Sequence, residues 1–256
     1  WGARGECAVL YDGAVKCWST LSWWDSPGDH HPPVDLGTGV SAVAIATYSG
    51  HKCALLSDGR VKCWGSNEYG QLGLGHRRHI GDDADEMGDA LPAVDLGTGR
   101  TATAIAVGYW YSCAILDDGA LKCWGIGYMI GLGGRTGNLG DSAGEMGDNL
   151  PAVDLGAGQR AVHVVTSEFK TCVITDVGAL KCFSGGQTPQ DVYLGAGRTV
   201  VSIALGQSHN CALLDDDSIK CWGSNYYGQL GVGDQDDRSV DDALQVVDLG
   251  SNVVAT

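Results

Sequence analysis

The chain has 256 residues, of which 31 are acidic and 16 basic, and its formal net charge is −15. Its 40 glycines exceed twice the usual share of about 7% and indicate a turn-rich, all-β fold. The acidic balance argues against nucleic-acid binding, and no apolar run approaches the roughly 18 residues that a membrane-spanning helix needs.

All ten cysteines lie in five copies of one short unit, in which two cysteines enclose nine residues. In each unit, two stretches of alternating apolar and polar residues flank an Asp-Gly-like turn, which predicts a β-hairpin. In unit two, pairing Cys53 with Cys63 leaves Ser57, Asp58 and Gly59 as the loop, and a left-handed residue commonly ends a loop of this length. The five pairs are Cys7 with Cys17, Cys53 with Cys63, Cys113 with Cys123, Cys172 with Cys182, and Cys211 with Cys221.

This register predicts a disulfide in each hairpin, because the two cysteines then face each other on the same side. In unit five, Asp217 replaces the loop glycine, and aspartate tolerates the left-handed conformation better than most residues. Metal binding is the alternative, but a hairpin supplies two thiols where zinc takes four ligands, and the CxxC spacing is absent. Five disulfides predict a secreted or extracellular protein, with the periplasm and the cell surface included.

Two further strands are predicted beside each hairpin. An apolar alternation such as Ala42 to Ala46 precedes the hairpin, and a Val-Asp-Leu-Gly segment follows it at Val34, Val94, Val153 and Val247. Four strands, here called A to D in chain order, make one propeller blade. We therefore predict a single five-bladed β-propeller domain over residues 1–256. Its ring is expected to close when the C-terminal strand, Asn252 to Ala255, joins the N-terminal blade and removes exposed sheet edges.

Two segments closely resemble the repeat of the regulator of chromosome condensation family. They are HKCALLSDGRVKCWGSNEYGQLGLG (His51 to Gly75) and HNCALLDDDSIKCWGSNYYGQLGVG (His209 to Gly233), and weaker copies cover essentially the whole chain. Units one and four lack the GSNxxGQLG segment, the founding members have seven blades, and hairpin cysteines suit exported relatives. The nuclear exchange-factor activity of the founding member is therefore not carried over to this chain. The resemblance instead supports recognition, since exported relatives include a propeller that inhibits β-lactamases through its loop face.

Residues that recur in every unit are attributed to the fold. An aromatic residue follows the second cysteine of each unit and is predicted to pack between neighbouring sheets. His51 and His209, which recur before the first cysteine, are expected to brace loops through hydrogen bonds rather than to bind a metal. The recurring aromatic residues are Trp18, Trp64, Trp124, Phe183 and Trp222.

Strands of alternating direction place the A–B and C–D loops on one face, the loop face, and the short Asp-Gly turns on the other, the turn face. The irregular, aromatic-rich sequence falls on the loop face, and aromatic side chains on variable loops of a rigid scaffold commonly serve recognition. Packing of some of these side chains against neighbouring loops is the alternative. The predicted partner-binding residues are Trp23, Trp24, Tyr48, Tyr109, Trp110, Tyr111, Tyr128, Phe169, Tyr226 and Tyr227.

The leading functional hypothesis is a secreted, non-enzymatic propeller that binds a protein or a cell-surface polymer through its loop face. One alternative is a structural subunit that assembles with further copies of itself into a filament or array. The other is a carbohydrate-binding propeller, with Trp23, Trp24 or Trp110 stacking on sugar rings. No HExxH or GxSxG motif supports catalysis, and no cofactor is predicted. Calcium is the alternative for the acidic EMGDxLPAVDLG loops of units two and three, but their order does not match the calcium-hand loop.

Overall fold

The computed structural model describes residues 5–19, 32–48, 50–83, 85–240 and 243–250. In these ranges the regular structure is antiparallel β-sheet with three single-turn 3-10 helices. None of the helices found there is long and apolar enough to cross a membrane. Five sheets follow one another in chain order, and we call them blades 1 to 5.

Each blade is defined by its strands. Blade 1 contains β1 (Gly5–Val9) and β2 (Val15–Ser19); blade 2 contains β3 (Ala42–Tyr48), β4 (His51–Leu56) and β5 (Val61–Gly65). Blade 3 contains β6 (Ala102–Val107), β7 (Tyr111–Leu116) and β8 (Leu121–Gly125). Blade 4 contains β9 (Ala161–Thr166), β10 (Lys170–Thr175), β11 (Leu180–Ser184) and β12 (Gln190–Val192). Blade 5 contains β13 (Val200–Leu205), β14 (His209–Leu214) and β15 (Ile219–Gly223). The 3-10 helices are Gly88–Ala90, Gly127–Met129 and Gly147–Asn149.

The predicted hairpin register is confirmed in all five blades. Cys53 pairs with Cys63 across β4 and β5, and the other four cysteine pairs occupy the same position in their hairpins. All ten cysteines form the five predicted disulfides. The bridges join Cys7 with Cys17, Cys53 with Cys63, Cys113 with Cys123, Cys172 with Cys182, and Cys211 with Cys221.

The turn between the hairpin strands has the expected left-handed residue. The loop glycine Gly59 has a φ of +80°, and its counterpart Asp217 has a φ of +62°. Asp217 is the one non-glycine residue with a positive φ in the described ranges, so the turn geometry is kept even where the glycine is lost.

The fourth strand is shorter than the sequence predicted. A regular D strand occurs in blade 4, where β12 pairs with β11. In blade 1 the segment makes one isolated bridge, Val15 to Val34, and in blade 2 the Val94 amide donates to the Val61 carbonyl at 2.8 Å. Pro92 and Pro151 precede the D segments of blades 2 and 3 and have no N–H to extend a ladder. The expected four-stranded blades are therefore three-stranded sheets with a loosely attached fourth segment in several blades.

Blade 1 has two strands among the described residues, and its A-strand position is the place that the C-terminal strand was expected to fill. Asn252 to Ala255 lie outside the described residues. Closure of the ring, and the assignment of the whole chain to one domain, therefore stay predictions.

Successive blades pack face to face through the recurring aromatic residues. Trp64, Trp124, Phe183 and Trp222 are buried, and Trp18 is half-buried. The first strands of neighbouring blades contact one another, from β3 to β6, from β6 to β9 and from β9 to β13. The A strands are consequently the innermost strands, as expected for a propeller.

On the turn face, a recurring lysine joins one blade to the next. The Nζ of Lys122 in β8 donates to the Leu96 carbonyl of the blade 2 D segment at 3.0 Å and to the Gly147 carbonyl at 2.8 Å. Lys62 makes the same pair of bonds one blade earlier, to the carbonyls of Leu36 and Gly88, each at 2.8 Å. Each lysine thus ties a D-segment carbonyl of the preceding blade to a 3-10 helix carbonyl of its own blade, and we call this contact the lysine clamp.

A carboxylate strengthens the same junction. The Asp148 side chain accepts the Thr98 amide at 2.9 Å and the Thr98 hydroxyl at 2.6 Å, and Asp89 does the same for Thr38 at 2.8 and 2.7 Å. These hydrogen bonds from threonine hold the pKa values of Asp148 and Asp89 below their usual range.

On the loop face, a buried network joins blades 2 and 3. The Ser112 hydroxyl and the Trp124 Nε1 both donate to the Gln71 carbonyl, at 2.9 and 3.0 Å. Because the single hydroxyl proton of Ser112 is used there, His51 must donate from Nε2 to the Ser112 oxygen, 2.9 Å away. Complete burial and the neighbouring Lys52 charge lower the pKa of His51 to about 3. His51 is therefore a neutral brace between blades, as expected of a loop-bracing residue.

Replacing Lys122 by methionine tests the lysine clamp. The variant leaves two carbonyls without their charged donor, so we expect the free energy of unfolding to fall by about 2–3 kcal/mol. Urea denaturation followed by circular dichroism measures the change. Lys170→Met is the matched control, because Lys170 is half-buried and its amine makes no hydrogen bond to a described residue. Equal stability losses in the two variants would contradict the clamp.

The buried His51 predicts a specific pH dependence. Its pKa is lowered in the folded state, so its contribution to stability is complete above about pH 6.5 and is lost as the pH falls toward 3. The slope between these limits should be about 1.4 kcal/mol per pH unit, because the unfolded state binds a proton there that the folded state excludes. The difference in unfolding free energy between the wild type and His51→Gln should therefore shrink from pH 6.5 to pH 4.5.

The exposed His163 supplies the control for this measurement. The difference between the wild type and His163→Gln should stay nearly constant over the same range, because both proteins retain His51. A pH-independent difference for His51→Gln would show that His51 is not held neutral.

Candidate functional site

The A–B turns of blades 2, 3 and 4 converge on the loop face because they connect the innermost strands. These turns follow β3, β6 and β9. The turn of blade 3 is anchored to its own C strand, since the Trp110 carbonyl accepts the Ile126 amide at 3.0 Å. Gly125 permits this approach: it has a φ of +113°, and a Cβ there would lie 2.3 Å from the Trp110 carbonyl oxygen.

Five aromatic side chains from three blades meet at this point, and we call them the aromatic cluster. Tyr109 and Trp110 form its centre, with ring centroids 4.4 Å apart in an edge-to-face arrangement. Trp110 also contacts Tyr69 of the blade 2 C–D loop at 5.1 Å. Tyr48 lies 6.0 Å and Phe169 lies 6.1 Å from Tyr109. The predicted residues Tyr48, Tyr109, Trp110 and Phe169 are therefore brought together by the fold, and Tyr69 joins them.

The aromatic cluster is partly open to solvent. Phe169 is 46% exposed, and the other four side chains are half-buried. The rings support one another through contacts typical of aromatic pairs, which fixes their orientation without burying them. Tyr69 was not predicted from the sequence, because it lies inside the repeat segment GSNEYGQLG and was attributed to the family motif.

Tyr111 does not belong to this surface, which corrects its assignment as a partner-binding residue. Its side chain is fully buried, and its hydroxyl donates to the Lys170 carbonyl at 3.0 Å and accepts a bond from the Thr171 hydroxyl at 3.0 Å. Burial raises the pKa of this phenol. Tyr111 holds the position that His51 holds in blade 2, and both residues bond to the next blade. Because Tyr111 shares its repeat position with His51, the sequence already contained the signal that Tyr111 belongs to the scaffold.

The remaining predicted residues lie apart from the aromatic cluster or outside the described residues. Tyr226 and Tyr227, in the blade 5 C–D loop, are 71% and 84% exposed and contact each other at 4.8 Å. Tyr128 is 39% exposed in the 3-10 helix Gly127–Met129. No ring contact joins these three to the cluster within the part of the chain that the structure describes. Trp23 and Trp24 lie outside the described residues.

Two lysines border the aromatic cluster in an otherwise acidic protein. Lys52 lies near the start of β4, and Lys170 begins β10 next to Phe169. Neither amine makes a hydrogen bond or ion pair with a residue that the structure describes. Partial burial lowers the pKa of each lysine, because removal of water disfavours the charged form.

The acidic loops of units two and three use their glutamates to order their own backbone. Glu86 accepts the Gly81 amide at 2.8 Å, and this bond lowers the pKa of Glu86. Glu145 likewise accepts the amides of Gly140 and Ser142, each at 3.0 Å. Across the described ranges, no three His, Cys, Asp or Glu side chains are grouped to share a metal ion.

Comparison with known proteins identifies the repeat. A family model described as the regulator of chromosome condensation (RCC1) repeat matches residues 42–71, 102–129 and 200–229. A second model with the same description matches residues 58–115. No curated protein sequence matches the chain significantly.

Solved structures share the fold at low sequence identity. Human WBSCR16 is 17% identical with a TM-score of 0.71, over 97% of this chain and 66% of that one. Yeast RCC1 (Prp20), solved in complex with Kap60, is 16% identical with a TM-score of 0.70, over 96% of this chain and 59% of that one. The ectodomain of the Physcomitrella patens receptor kinase CR4 is 17% identical with a TM-score of 0.51, over 87% of this chain and 50% of that one.

The chain thus spans between half and two thirds of the length of these structures. The matched repeats coincide with blades 2, 3 and 5, and the structural likeness extends over nearly the whole chain. The chain thus carries RCC1 repeats in blades 2, 3 and 5 and shares the β-propeller fold of these solved structures.

Proposed function

We propose that the chain is a non-enzymatic recognition module that binds a protein partner through the aromatic cluster on its loop face. The observation that carries this proposal is the meeting of five partly exposed aromatic side chains, from three blades, at the convergence of the A–B turns. Aromatic residues clustered on a rigid surface are typical energetic centres of protein interfaces.

The rings of the aromatic cluster lose little conformational entropy on binding and remove apolar area from water. Tyr109 and Trp110 already contact each other, so little side-chain entropy remains to be lost when a partner docks. Their exposed apolar area is removed from water at the same time. A rigid aromatic surface therefore supports binding at low entropic cost.

The similar structures support a protein partner. Yeast RCC1 (Prp20) was solved bound to Kap60, so a protein that contains a propeller of this fold binds another protein. By analogy, we propose a protein-interaction scaffold here. The identity of the yeast partner is not transferred, because the sequence identity is 16%.

We further propose that the protein works outside the cytosol, in a secreted, extracellular, periplasmic or cell-surface setting. Its ten cysteines form five disulfides, which persist in oxidising compartments. The structural likeness to the CR4 ectodomain shows that a similar fold occurs in an ectodomain.

Alanine substitution in the aromatic cluster tests the proposal. The chain is given an affinity tag and purified from its natural source after mild cross-linking. The species bound to it are identified by mass spectrometry. Trp110→Ala and Phe169→Ala should each reduce the recovered partner at least tenfold, the range expected for an interface centre. Because Phe169 is 46% exposed, its variant should unfold at nearly the wild-type urea concentration.

Tyr193→Ala is the matched control, because Tyr193 is 67% exposed and follows β12, away from the aromatic cluster. It should leave partner recovery unchanged. Equal recovery by the wild type and both cluster variants would contradict the proposal. Recovery of a glycan or of the chain itself would instead favour the lectin or self-assembly alternative.

A further inference from the structure

The junction of blades 2 and 3 shows what the loop-face side of a B–C hairpin binds. Ser112 and Trp124 are paired across β7 and β8, and both donate to the carbonyl of Gln71. Gln71 and Leu72 have no exposed surface. A peptide segment of the preceding blade, Gly-Gln-Leu-Gly, therefore fills the groove in front of blade 3 and offers a backbone oxygen to two fixed donors.

No segment among the described residues fills the same groove in front of blade 2. Lys52 and Trp64 are paired across β4 and β5 at the register positions of Ser112 and Trp124. They line a cleft of about 840 Å³ that also includes Cys17 and Val34 of blade 1. Neither the Lys52 amine nor the Trp64 indole nitrogen donates a hydrogen bond to a described residue. Unit one lacks the GSNxxGQLG segment that would supply the acceptor.

Blade 2 has Lys52 where blade 3 has Ser112, and this difference changes the preferred hydrogen-bond acceptor. A hydroxyl in front of blade 3 is satisfied by a neutral carbonyl, whereas the ammonium of Lys52 is best satisfied by a carboxylate. Lys62 and Lys122 bind backbone carbonyls, and Lys181 pairs with Asp191 at 2.6 Å, so these lysines are already partnered. Partial burial of Lys52 without an anion makes an incoming carboxylate more favourable.

The rest of the cleft matches a peptide. Tyr109 and Trp110 form part of its wall and connect it to the aromatic cluster. Glu68 and Asp82 also line it, so the ligand must offer N–H groups to these two carboxylates and carry its own carboxylate only at Lys52. A ligand held here would thus place its carboxylate at Lys52 and Trp64 and an apolar side chain against the aromatic wall.

We propose that this cleft binds an acidic peptide segment of the protein partner, with its carboxylate accepting hydrogen bonds from Lys52 and Trp64. The proposal rests on the proposed function, because the cleft shares Tyr109 and Trp110 with the aromatic cluster. The bound segment occupies the place that Gly-Gln-Leu-Gly of blade 2 occupies in front of blade 3.

Peptide titration followed by NMR tests the proposal. The probes are acetyl-Gly-Asp-Leu-Gly-amide and its asparagine counterpart, and the readout is the indole N–H signal of Trp64, assigned with Trp64→Phe. The aspartate peptide should shift this signal saturably and bind about tenfold more tightly than the asparagine peptide, as a charge-assisted bond predicts. Lys52→Met should remove this preference, and Lys170→Met, which alters the other lysine beside the aromatic cluster, should preserve it.

Three results would overturn the proposal. They are the absence of a saturable shift with either peptide at millimolar concentration, an equal affinity for the two peptides, and an indole proton already protected from solvent exchange without peptide. The last result would mean that the cleft is already filled in the free protein. Loss of partner recovery in Trp110→Ala alongside any of these would leave the proposed function standing and reject the cleft alone.

Discussion

The contact between one blade and the next is the interaction on which the rest of this structure depends. A sheet with apolar side chains on both faces must bury both of them, so each blade packs one face against each neighbour. Polar contacts at both ends of the junction set its geometry. The lysine clamp and the Asp148–Thr98 pair act on the turn face, and the Gln71 carbonyl network acts on the loop face.

The same junction separates scaffold from site. Tyr111 and His51 occupy the same repeat position, and each reaches the next blade with a hydrogen bond, so both are committed to the scaffold. Trp110 and Tyr109, one and two residues earlier, do not have this structural role and lie where the A–B turns converge. The boundary between structure and recognition therefore passes between two consecutive aromatic residues.

Local chemistry made much of the fold predictable from the sequence. The cysteine spacing and the loop glycine fix the hairpin register, because both act within about ten residues of chain. The lysine clamp was not predicted, because a lysine at a strand position is ordinarily solvated, and only the packed neighbour supplies its carbonyl partners. The short D strands were not predicted either. Proline precedes the D segments of blades 2 and 3, but blade 5 reduces its D segment to one bridge, Lys220 to Val246, without a proline.

The candidate site was predictable only in part. The aromatic residues of the A–B turns were identified by their absence from the repeat pattern, yet Tyr69 was hidden inside it and Tyr111 was misplaced. The Lys52 cleft could not be inferred from one unit, because its significance appears when blade 2 is compared with blade 3 in three dimensions. The absence of the GSNxxGQLG segment from unit one becomes meaningful only when unit one is seen to lie in front of blade 2.

Amide hydrogen exchange with and without the co-purified partner tests most directly whether the loop face binds the partner while the turn face only holds the blades together. Partner binding should slow exchange in the A–B turns that carry Tyr109 and Phe169. Exchange at the Asp-Gly turns around Gly59 and Gly119 should not change. Slowed exchange confined to the Asp-Gly turns, with the A–B turns unaffected, would show that the partner binds the turn face instead.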